Sequence, residues 1–293
     1  EALKAFHQYK DSEFLNLCGV HLHIGSQNPE SATYAEAFKT LFDNLARIYN
    51  ETGIKLSHIN LGGGFPVNYL RDASHENAFA EQTREMFSAD FEPTDAITNA
   101  WKIVKESAEN SNAAHLLENV TLLLEPGRSV ISDAGICLTT VRNLKERPIS
   151  DSKSKIQNPK SKIQNDSWLL TDAGFNILLS METYKWYYHL ISAGRAGEKH
   201  NFPYKIAGPL CDGGDVYFDS EGLERLPEYR LLPENVQPNE ILALLNCGAY
   251  SVAQMFQYNG RFLPAIVLIT KDGKPELVRR RDNFEDLITN DIW

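Results

Sequence analysis

The first half of the chain alternates short apolar runs with longer amphipathic stretches. Apolar runs at 14–27, 55–66 and 120–130 each end in glycine or polar residues. Between the first two, residues 32–53 carry apolar side chains at helical spacing and stop at a glycine. Strands that alternate with helices, with polar residues at the carboxyl end of each strand, predict an α/β barrel, here a partial TIM-like one.

The pattern changes near residue 138, where short β-rich segments follow one another without regular helices. We therefore predict a partial βα-barrel over 1–138 and a second, mainly β domain over 139–293. A polar motif, SKIQN, occurs twice in the second domain, at 154–158 and 161–165. Two copies are too few for a repeat fold, so the stretch 151–166 is predicted to be a surface insertion.

Composition narrows the class of protein. The 293 residues are 42% hydrophobic and 23% charged, the balance of an ordinary soluble globular protein. A net charge of −10 and the lack of a basic stripe argue against a nucleic-acid partner, and no apolar run approaches the roughly 18 residues of a membrane span. The cysteines are far apart with no CxxC pair, which predicts neither a zinc knuckle nor a disulfide framework, and favours the cytoplasm.

The segment His21-Leu22-His23 at the end of the first apolar run has three interpretations. It could be an ordinary pair of polar strand residues. It could be a metal-binding pair like those on barrels of metal-dependent hydrolases, which requires further His or Asp ligands at later strand ends, where only Glu125 is found. In the third interpretation it belongs to a phosphate site. We predict no metal.

Glycine turns follow each of the three predicted strands and together predict a phosphate cradle. Backbone N–H groups in such turns, a hydroxyl and a guanidinium are the groups that bind phosphate. The candidate residues are Gly25, Ser26, Gly62, Gly63, Gly64, Gly127 and Arg128. Glu125 beside them could hold a protonated ring nitrogen, and His23 could stack on the ring. A phosphorylated heteroaromatic cofactor with these needs is pyridoxal 5′-phosphate (PLP).

Five motifs extend this hypothesis over nearly the whole chain outside 151–166. HLHIGSQ, NLGGGFP, LEPGRSV, GPLCDGGD and CGAY resemble, in order and spacing, motifs of the alanine-racemase-fold decarboxylases for ornithine, diaminopimelate and arginine. The resemblance implies a PLP-binding barrel followed by a β-sandwich, with a homodimer as the active form. It also implies that the loop around Cys211 is donated across the dimer interface, and that about 247–262 returns to the active site.

The resemblance also implies a role for each site residue. His23 stacks on the pyridine ring, and Glu125 pairs with its nitrogen. Cys211 protonates the substrate carbon, and Asp212 contacts a substrate amine. The phosphate is held by Ser26, Gly62, Gly63, Gly64, Arg128 and Tyr250. A purely structural interpretation of Cys211, as a buried cysteine in a turn, stays open beside this one.

The implied activity is PLP-dependent decarboxylation of a basic or diamino amino acid, such as meso-diaminopimelate to lysine. An ornithine, lysine or arginine decarboxylase of polyamine synthesis is an alternative. The sequence Cys211-Asp212-Gly213 differs from the Cys-Glu-Ser that is usual in diaminopimelate decarboxylases. The stretch after 171–176 also lacks the arginine that those enzymes use to bind a substrate carboxylate. A third possibility is that the chain is a non-catalytic relative or a fragment of such an enzyme. The chain opens inside a helix and shows no match to the family's Schiff-base lysine, so we expect the first part of the enzyme to be absent.

Overall fold

The structure, a computed structural model, describes residues 1–69, 88–89, 91–149, 165–223 and 225–292. The described chain divides into two compact units, with residues up to 132 in the first and those from 133 in the second. The predicted domain boundary at 138/139 falls inside the first strand of the second unit. Apart from its last two residues, which begin a strand, the predicted insertion lies outside the described residues.

The first unit is built of βα elements. Its strands are β1 (Gly19–His21), β2 (His58–Asn60) and β3 (Thr121–Leu123), which form a parallel sheet in chain order. Its helices are α1 (Ala2–Tyr9), α2 (Ser31–Thr52), α3 (Pro93–Asn110) and α4 (Arg128–Ile131), with a 3₁₀ turn at Ala114–Leu116. The strands are shorter than the apolar runs that predicted them, because only part of each run pairs; in the run 14–27, for example, the pairing with β2 covers Gly19–His21.

Helices α2 and α3 pack against each other over the sheet. The apolar stripe of α2 is buried, and α3 presents small residues such as Ala100 and Ala108 to the same core. Gly53, in the left-handed conformation, ends α2 and donates its N–H to Tyr49 O at 2.8 Å. This core holds the three strands in register, so their carboxyl ends meet at one edge.

The second unit is mainly β. Its strands are β4 (Cys137–Pro148), β5 (Asn165–Thr171), β6 (Leu190–Ser192), β7 (Phe202–Ala207), β8 (Arg230–Leu232), β9 (Ile241–Leu244), β10 (Ile266–Ile269) and β11 (Pro275–Arg279). Its helical turns are Ser132–Ala134, which begins at the boundary, α5 (Leu179–Thr183) and α6 (Phe284–Leu287). Strands β10 and β11 form an antiparallel hairpin.

The remaining strands of the second unit form one sheet in the order β6-β9-β4-β5-β7-β8. The two edge strands, β6 and β8, also contact each other, so the sheet curls almost into a closed barrel. All neighbours are antiparallel except β5 and β7, which are parallel. The fold class predicted from the pattern, a partial α/β barrel and a mainly β domain, agrees with these two units.

No helix in the described part of the chain is long and apolar enough to cross a membrane.

Candidate active site

Residues 62–64, here called the glycine run, lie between the ends of β1 and β3. Gly62 and Gly64 have positive φ angles of 67° and 80°, which side chains other than glycine rarely adopt. A Cβ on Gly62 would also overlap the carbonyl oxygen of Leu22, and one on Gly64 that of Gly25. The backbone of the run therefore packs directly on the turn that follows β1, and only glycine fits.

Two side chains from the turn after β1 and from α2 hold the glycine run. Gln27 donates its backbone N–H to Gly64 O at 2.9 Å, and its side-chain amide pairs with the backbone of Val67 in both directions. The fully buried Tyr34 donates its hydroxyl to the same Gly64 oxygen at 3.1 Å and stacks on Phe65. Burial raises the pKa of Tyr34 to about 12, so the phenol stays a donor at neutral pH.

Glu125 lies just beyond β3 with its carboxylate exposed and oriented by two neighbouring strands. Asn60, the last residue of β2, donates its side-chain amide to Glu125 Oε1 at 2.7 Å and accepts the Gly62 N–H at 2.8 Å. His21 Nε2 lies 3.6 Å from the other oxygen, Oε2. Since a Cβ on Gly63 would overlap the carbonyl oxygen of Glu125, the carboxylate is also anchored beside the glycine run.

His21, the last residue of β1, and His23, just after it, have different surroundings. His21 contacts Glu125, whereas the exposed His23 lies at the turn against Gly62. The exposed Ser26 lies against Gly64 in the same way. Among the described residues, no group of three or more His, Cys, Asp or Glu side chains is arranged to hold a metal ion. The metal interpretation of the His21–His23 pair thus finds no further ligands there.

Gly127 and Arg128 begin α4, a helix of only four residues. The Arg128 side chain is buried, and its guanidinium carbon lies 5.9 Å from the ring centre of Tyr69. The structure therefore places these two residues after β3 in the first unit, with Tyr69 as the aromatic neighbour of the guanidinium.

The Cys211 loop, residues 208–215, belongs to the second unit and is organised around a buried carboxylate. Asp215 is 2% exposed and accepts backbone N–H groups from Leu210 at 2.7 Å and Phe175 at 2.9 Å. Burial raises the pKa of Asp215, while these two N–H donors oppose the rise. Gly208 is in such close contact with this carboxylate that a Cβ there would overlap it. Asp215 thus anchors the base of the loop.

Cys211 and Asp212 lie on the exposed part of the same loop. The N–H of Cys211 donates to Asn259 Oδ1 at 2.8 Å. The Asp212 carboxylate accepts the Gly214 N–H at 2.8 Å through Oδ1 and the Tyr258 hydroxyl at 3.1 Å through Oδ2. The structural interpretation of Cys211 as a buried cysteine is wrong, because its side chain reaches solvent; burial applies instead to Cys247, whose thiol pKa it raises.

Tyr250 also belongs to the second unit, within the segment 247–262. Its φ angle is 58°, its side chain is 42% exposed, and its ring packs edge-on against Trp186 at 4.9 Å between centres. Its carbonyl oxygen accepts the Ser180 hydroxyl at 3.4 Å. Cys211, Asp212 and Tyr250 are thus presented by one unit.

The structure groups the predicted residues in two sets. His23, Ser26, Gly62, Gly63, Gly64, Glu125, Gly127 and Arg128 lie in the first unit, and Cys211, Asp212 and Tyr250 in the second. Several residues that hold these sets were missed by sequence reasoning: Gln27, Tyr34, Asn60, Asp215, Tyr258 and Asn259. Asn60 alone had a readable signal, a polar residue that closes a strand directly before three glycines.

Comparison with known proteins gives the family. Residues 1–132, the extent of the first unit, match the family model "Pyridoxal-dependent decarboxylase, pyridoxal binding domain". Residues 1–132 are thus similar to the pyridoxal-binding domain of the pyridoxal-dependent decarboxylases. The family and the PLP cofactor predicted from the motifs are thereby confirmed.

Curated relatives match the chain over both units. It is 30% identical over 291 residues to diaminopimelate decarboxylase of Methanocaldococcus jannaschii and 29% identical over 290 residues to that of Bacillus subtilis. These matches cover 99% of the chain but 55% and 56% of the relatives, so the chain spans about half their length. A crystal structure of the M. jannaschii enzyme with L-lysine has a TM-score of 0.71 at 29% identity, covering 100% of this chain and 56% of that one. The likeness confirms the predicted fold class.

The first unit carries groups of the kinds that bind a pyridoxal phosphate group. A backbone run in which a Cβ would overlap neighbouring carbonyls lies beside an exposed, oriented carboxylate. An anion can approach N–H groups of such a run closely, and a carboxylate can hold a protonated pyridine nitrogen. These residues fit the cofactor.

Proposed function

We propose that this chain contributes to a PLP-dependent decarboxylase that converts meso-diaminopimelate to lysine. One observation carries the proposal: the Glu125 carboxylate is exposed beside the glycine run and is oriented there by Asn60 at 2.7 Å. The M. jannaschii and B. subtilis relatives, which match both units, are diaminopimelate decarboxylases, and this supports the choice of substrate.

Glu125 has the central role in the first unit. Bound PLP supplies an electron-withdrawing ring, provided that its pyridine nitrogen stays protonated. A carboxylate held by Asn60 and His21 stabilises that proton through a charge-assisted hydrogen bond. His23, exposed at the turn after β1, stacks on the ring face.

The phosphate is held by the turns after the three strands in this proposal. The donors at the ends of β1 and β2 are the exposed Ser26 hydroxyl and the backbone N–H groups of Gly63 and Gly64, since the Gly62 N–H already donates to Asn60. Arg128 at the start of α4 and Tyr250 of the second unit complete the set that the family resemblance implies. A phosphate dianion is stabilised most by the charged donor, since charge-assisted hydrogen bonds are about twice as strong as neutral ones.

The second unit supplies the groups that act on the substrate. Cys211, whose side chain is exposed, delivers a proton to the carbon that loses CO₂. Asp212, an exposed carboxylate with a fixed orientation, attracts the ammonium group of the amino-acid substrate. We further propose a homodimer in which the Cys211 loop completes the site of the partner subunit. A cytoplasmic location stays a prediction.

The test compares Glu125→Gln with Glu118→Gln, an exposed glutamate in the segment before β3. PLP affinity is measured by fluorescence, and CO₂ release is measured from meso-diaminopimelate, ornithine, lysine and arginine. We expect CO₂ to be released fastest from meso-diaminopimelate. The rate of CO₂ release should fall by about 10²–10⁴-fold in Glu125→Gln but not in Glu118→Gln, as for a misplaced acid–base group.

Other outcomes distinguish the alternatives. Faster release from ornithine, lysine or arginine would overturn the substrate and favour a polyamine-pathway enzyme. PLP binding without CO₂ release from any of the four would favour the non-catalytic relative. Borohydride trapping followed by peptide mass spectrometry shows whether a lysine of this chain binds PLP covalently, which tests the expectation that the family's lysine is absent.

A further inference from the structure

A short segment far along the chain contacts the exposed part of the Cys211 loop at three places. This segment, residues 258–261, is called the clamp. Cys211 donates its N–H to Asn259 at 2.8 Å, and Tyr258 donates its hydroxyl to Asp212 at 3.1 Å. Arg261 donates to the carbonyl oxygen of Pro209 at 2.8 Å. Three positions of the loop are thus held by one segment of the same unit.

The clamp is itself a tight turn. Asn259 and Gly260 both have positive φ angles, 51° and 67°, and the Arg261 N–H donates to Tyr258 O at 3.0 Å. Asparagine tolerates this conformation better than most residues with a side chain. The Tyr258 ring lies 5.5 Å from that of Phe175, whose backbone N–H donates to Asp215. The clamp and the base of the loop are therefore linked.

Asp215 and the clamp contact different parts of the Cys211 loop, and this difference indicates the role of the clamp. Asp215 already holds the buried base of the loop through two backbone N–H groups. The clamp contacts lie in the exposed part, where a single hydrogen bond adds little to stability. Two of the three contacts end on Cys211 and Asp212, the residues that the proposed function uses chemically, and the third ends on Pro209. Stability alone does not account for this placement.

We propose that Asn259 and Tyr258 are positioning residues, which orient Cys211 and Asp212 respectively. The inference rests on the proposed function. Asn259 fixes the backbone from which the Cys211 thiol projects, so its loss misdirects the proton and lowers kcat. Tyr258 and the Gly214 N–H hold the two oxygens of Asp212, so loss of the Tyr258 hydroxyl loosens the ammonium contact and raises KM.

The first measurement is amide hydrogen exchange at Cys211 in the 293-residue chain. Asn259→Gly removes the acceptor without straining the positive φ, and Asn259→Asp keeps an acceptor. The matched control is Asn239→Gly, an exposed asparagine that also has a positive φ, 74°, in the turn before β9. We expect exchange at Cys211 to rise about five- to tenfold in Asn259→Gly only, with near-normal exchange in Asn259→Asp.

The second measurement separates kcat from KM. Asn259→Gly should lower kcat about tenfold at similar KM, and Asn259→Asp should restore part of that loss. Tyr258→Phe keeps the ring beside Phe175 but removes the hydroxyl, so it should raise KM about three- to tenfold. Unchanged Cys211 exchange in Asn259→Gly, or equal kinetic changes in Asn239→Gly, would overturn the inference. If the unmodified chain releases no CO₂ while exchange responds as stated, the proposed function fails and the orientation of Cys211 by Asn259 stands.

Discussion

The glycine run of the first unit and the Cys211 loop of the second are both rich in glycine, yet different groups hold them. In the glycine run, backbone packs on backbone, and Gly62 and Gly64 are required by positive φ angles and by neighbouring carbonyl oxygens. In the Cys211 loop, a buried carboxylate, Asp215, collects the backbone N–H groups. A glycine-rich motif thus identifies a close approach without revealing which group approaches.

The two regions also treat their carboxylates in opposite ways. Glu125 is exposed and is held by side chains from two neighbouring strands, so it remains available to a ligand. Asp215 is buried, and each of its two carboxylate oxygens accepts a backbone N–H, so it has a structural role. Asp212 in the same loop is exposed. Burial and partners, more than residue type, separate a ligand-binding carboxylate from an anchoring one.

Replacing the central contact of the glycine run should have the largest effect. Gly64→Ala combines a positive φ with overlap of a Cβ and the Gly25 carbonyl, so we expect a loss of more than about 3 kcal/mol in the free energy of unfolding. Gly53→Ala is the control, because it has a similar φ of 75° but open space around the Cβ; about 1 kcal/mol is expected. Urea denaturation measures both, and equal losses would contradict the steric argument.

Next in size is removal of the anchor of the Cys211 loop. Asp215→Ala leaves the N–H groups of Leu210 and Phe175 buried without an acceptor, at a cost of about 2–4 kcal/mol. Asp212→Ala removes an exposed carboxylate and should cost less than about 1 kcal/mol. Thermal unfolding of the two variants side by side checks the assignment, and a larger loss for Asp212→Ala would reverse it.

A smaller effect is expected at the residue that orients Glu125. Asn60→Ala removes the amide that donates to Glu125 and accepts from Gly62, so PLP affinity should fall about five- to tenfold, the value of about one hydrogen bond. Asn44→Ala, in which the lost amide bonds only to Thr40 O within α2, should leave affinity unchanged. Equilibrium titration with PLP distinguishes the two variants, and equal affinities would show that Glu125 does not need Asn60.

The smallest effect concerns pH and contrasts two carboxylates of the second unit. Burial raises the pKa of Asp215 above its usual 3.8, so the folded state holds its proton more tightly and stability from this group is lost as pH rises through the folded pKa. Asp172 accepts from Thr139, Thr140 and Arg142, which lower its pKa, so its stability contribution is lost as pH falls.

The corresponding variants should therefore respond to pH in opposite directions. The melting-temperature deficit of Asp215→Asn should shrink by about 1–3 °C as pH rises from about 4 to 7, whereas that of Asp172→Asn should shrink as pH falls toward about 3. Melting curves over this range test the signs. Parallel pH dependence in both variants would show that Asp215 is ionised more readily when folded than when unfolded, against the raised pKa.

Much of the fold followed from local pattern. The apolar stripe of α2, its stop at Gly53 and the change to β-rich texture near 138 are readable because helix and strand periods differ and glycine ends helices. The strand lengths were not readable. Apolar residues at 14–17 continue the pattern of β1, yet Phe14 is 93% exposed, because pairing with β2 begins only at Gly19.

The candidate site was predicted in part for a similar reason. Glycine turns and Glu125 follow predicted strands directly, so their meeting at one sheet edge can be inferred from chain order. The contacts of Asn259 and Tyr258 with the Cys211 loop cross a separation of more than 40 residues, and no local pattern records them. Likewise, nothing near Asp215 in the chain distinguishes it from Asp212, although one is buried and the other is exposed.

The five motifs, their order and the PLP cofactor could be inferred from the sequence alone, and the family match confirms the cofactor. Tertiary structure decided how those residues are held. In the folded chain, Asn60 orients Glu125, Asp215 anchors the Cys211 loop, and Asn259 accepts the Cys211 N–H. The physical reason is the distance along the chain over which each property is decided. Backbone conformation and residue chemistry are local properties, whereas burial and hydrogen-bond partners depend on segments that only folding brings together.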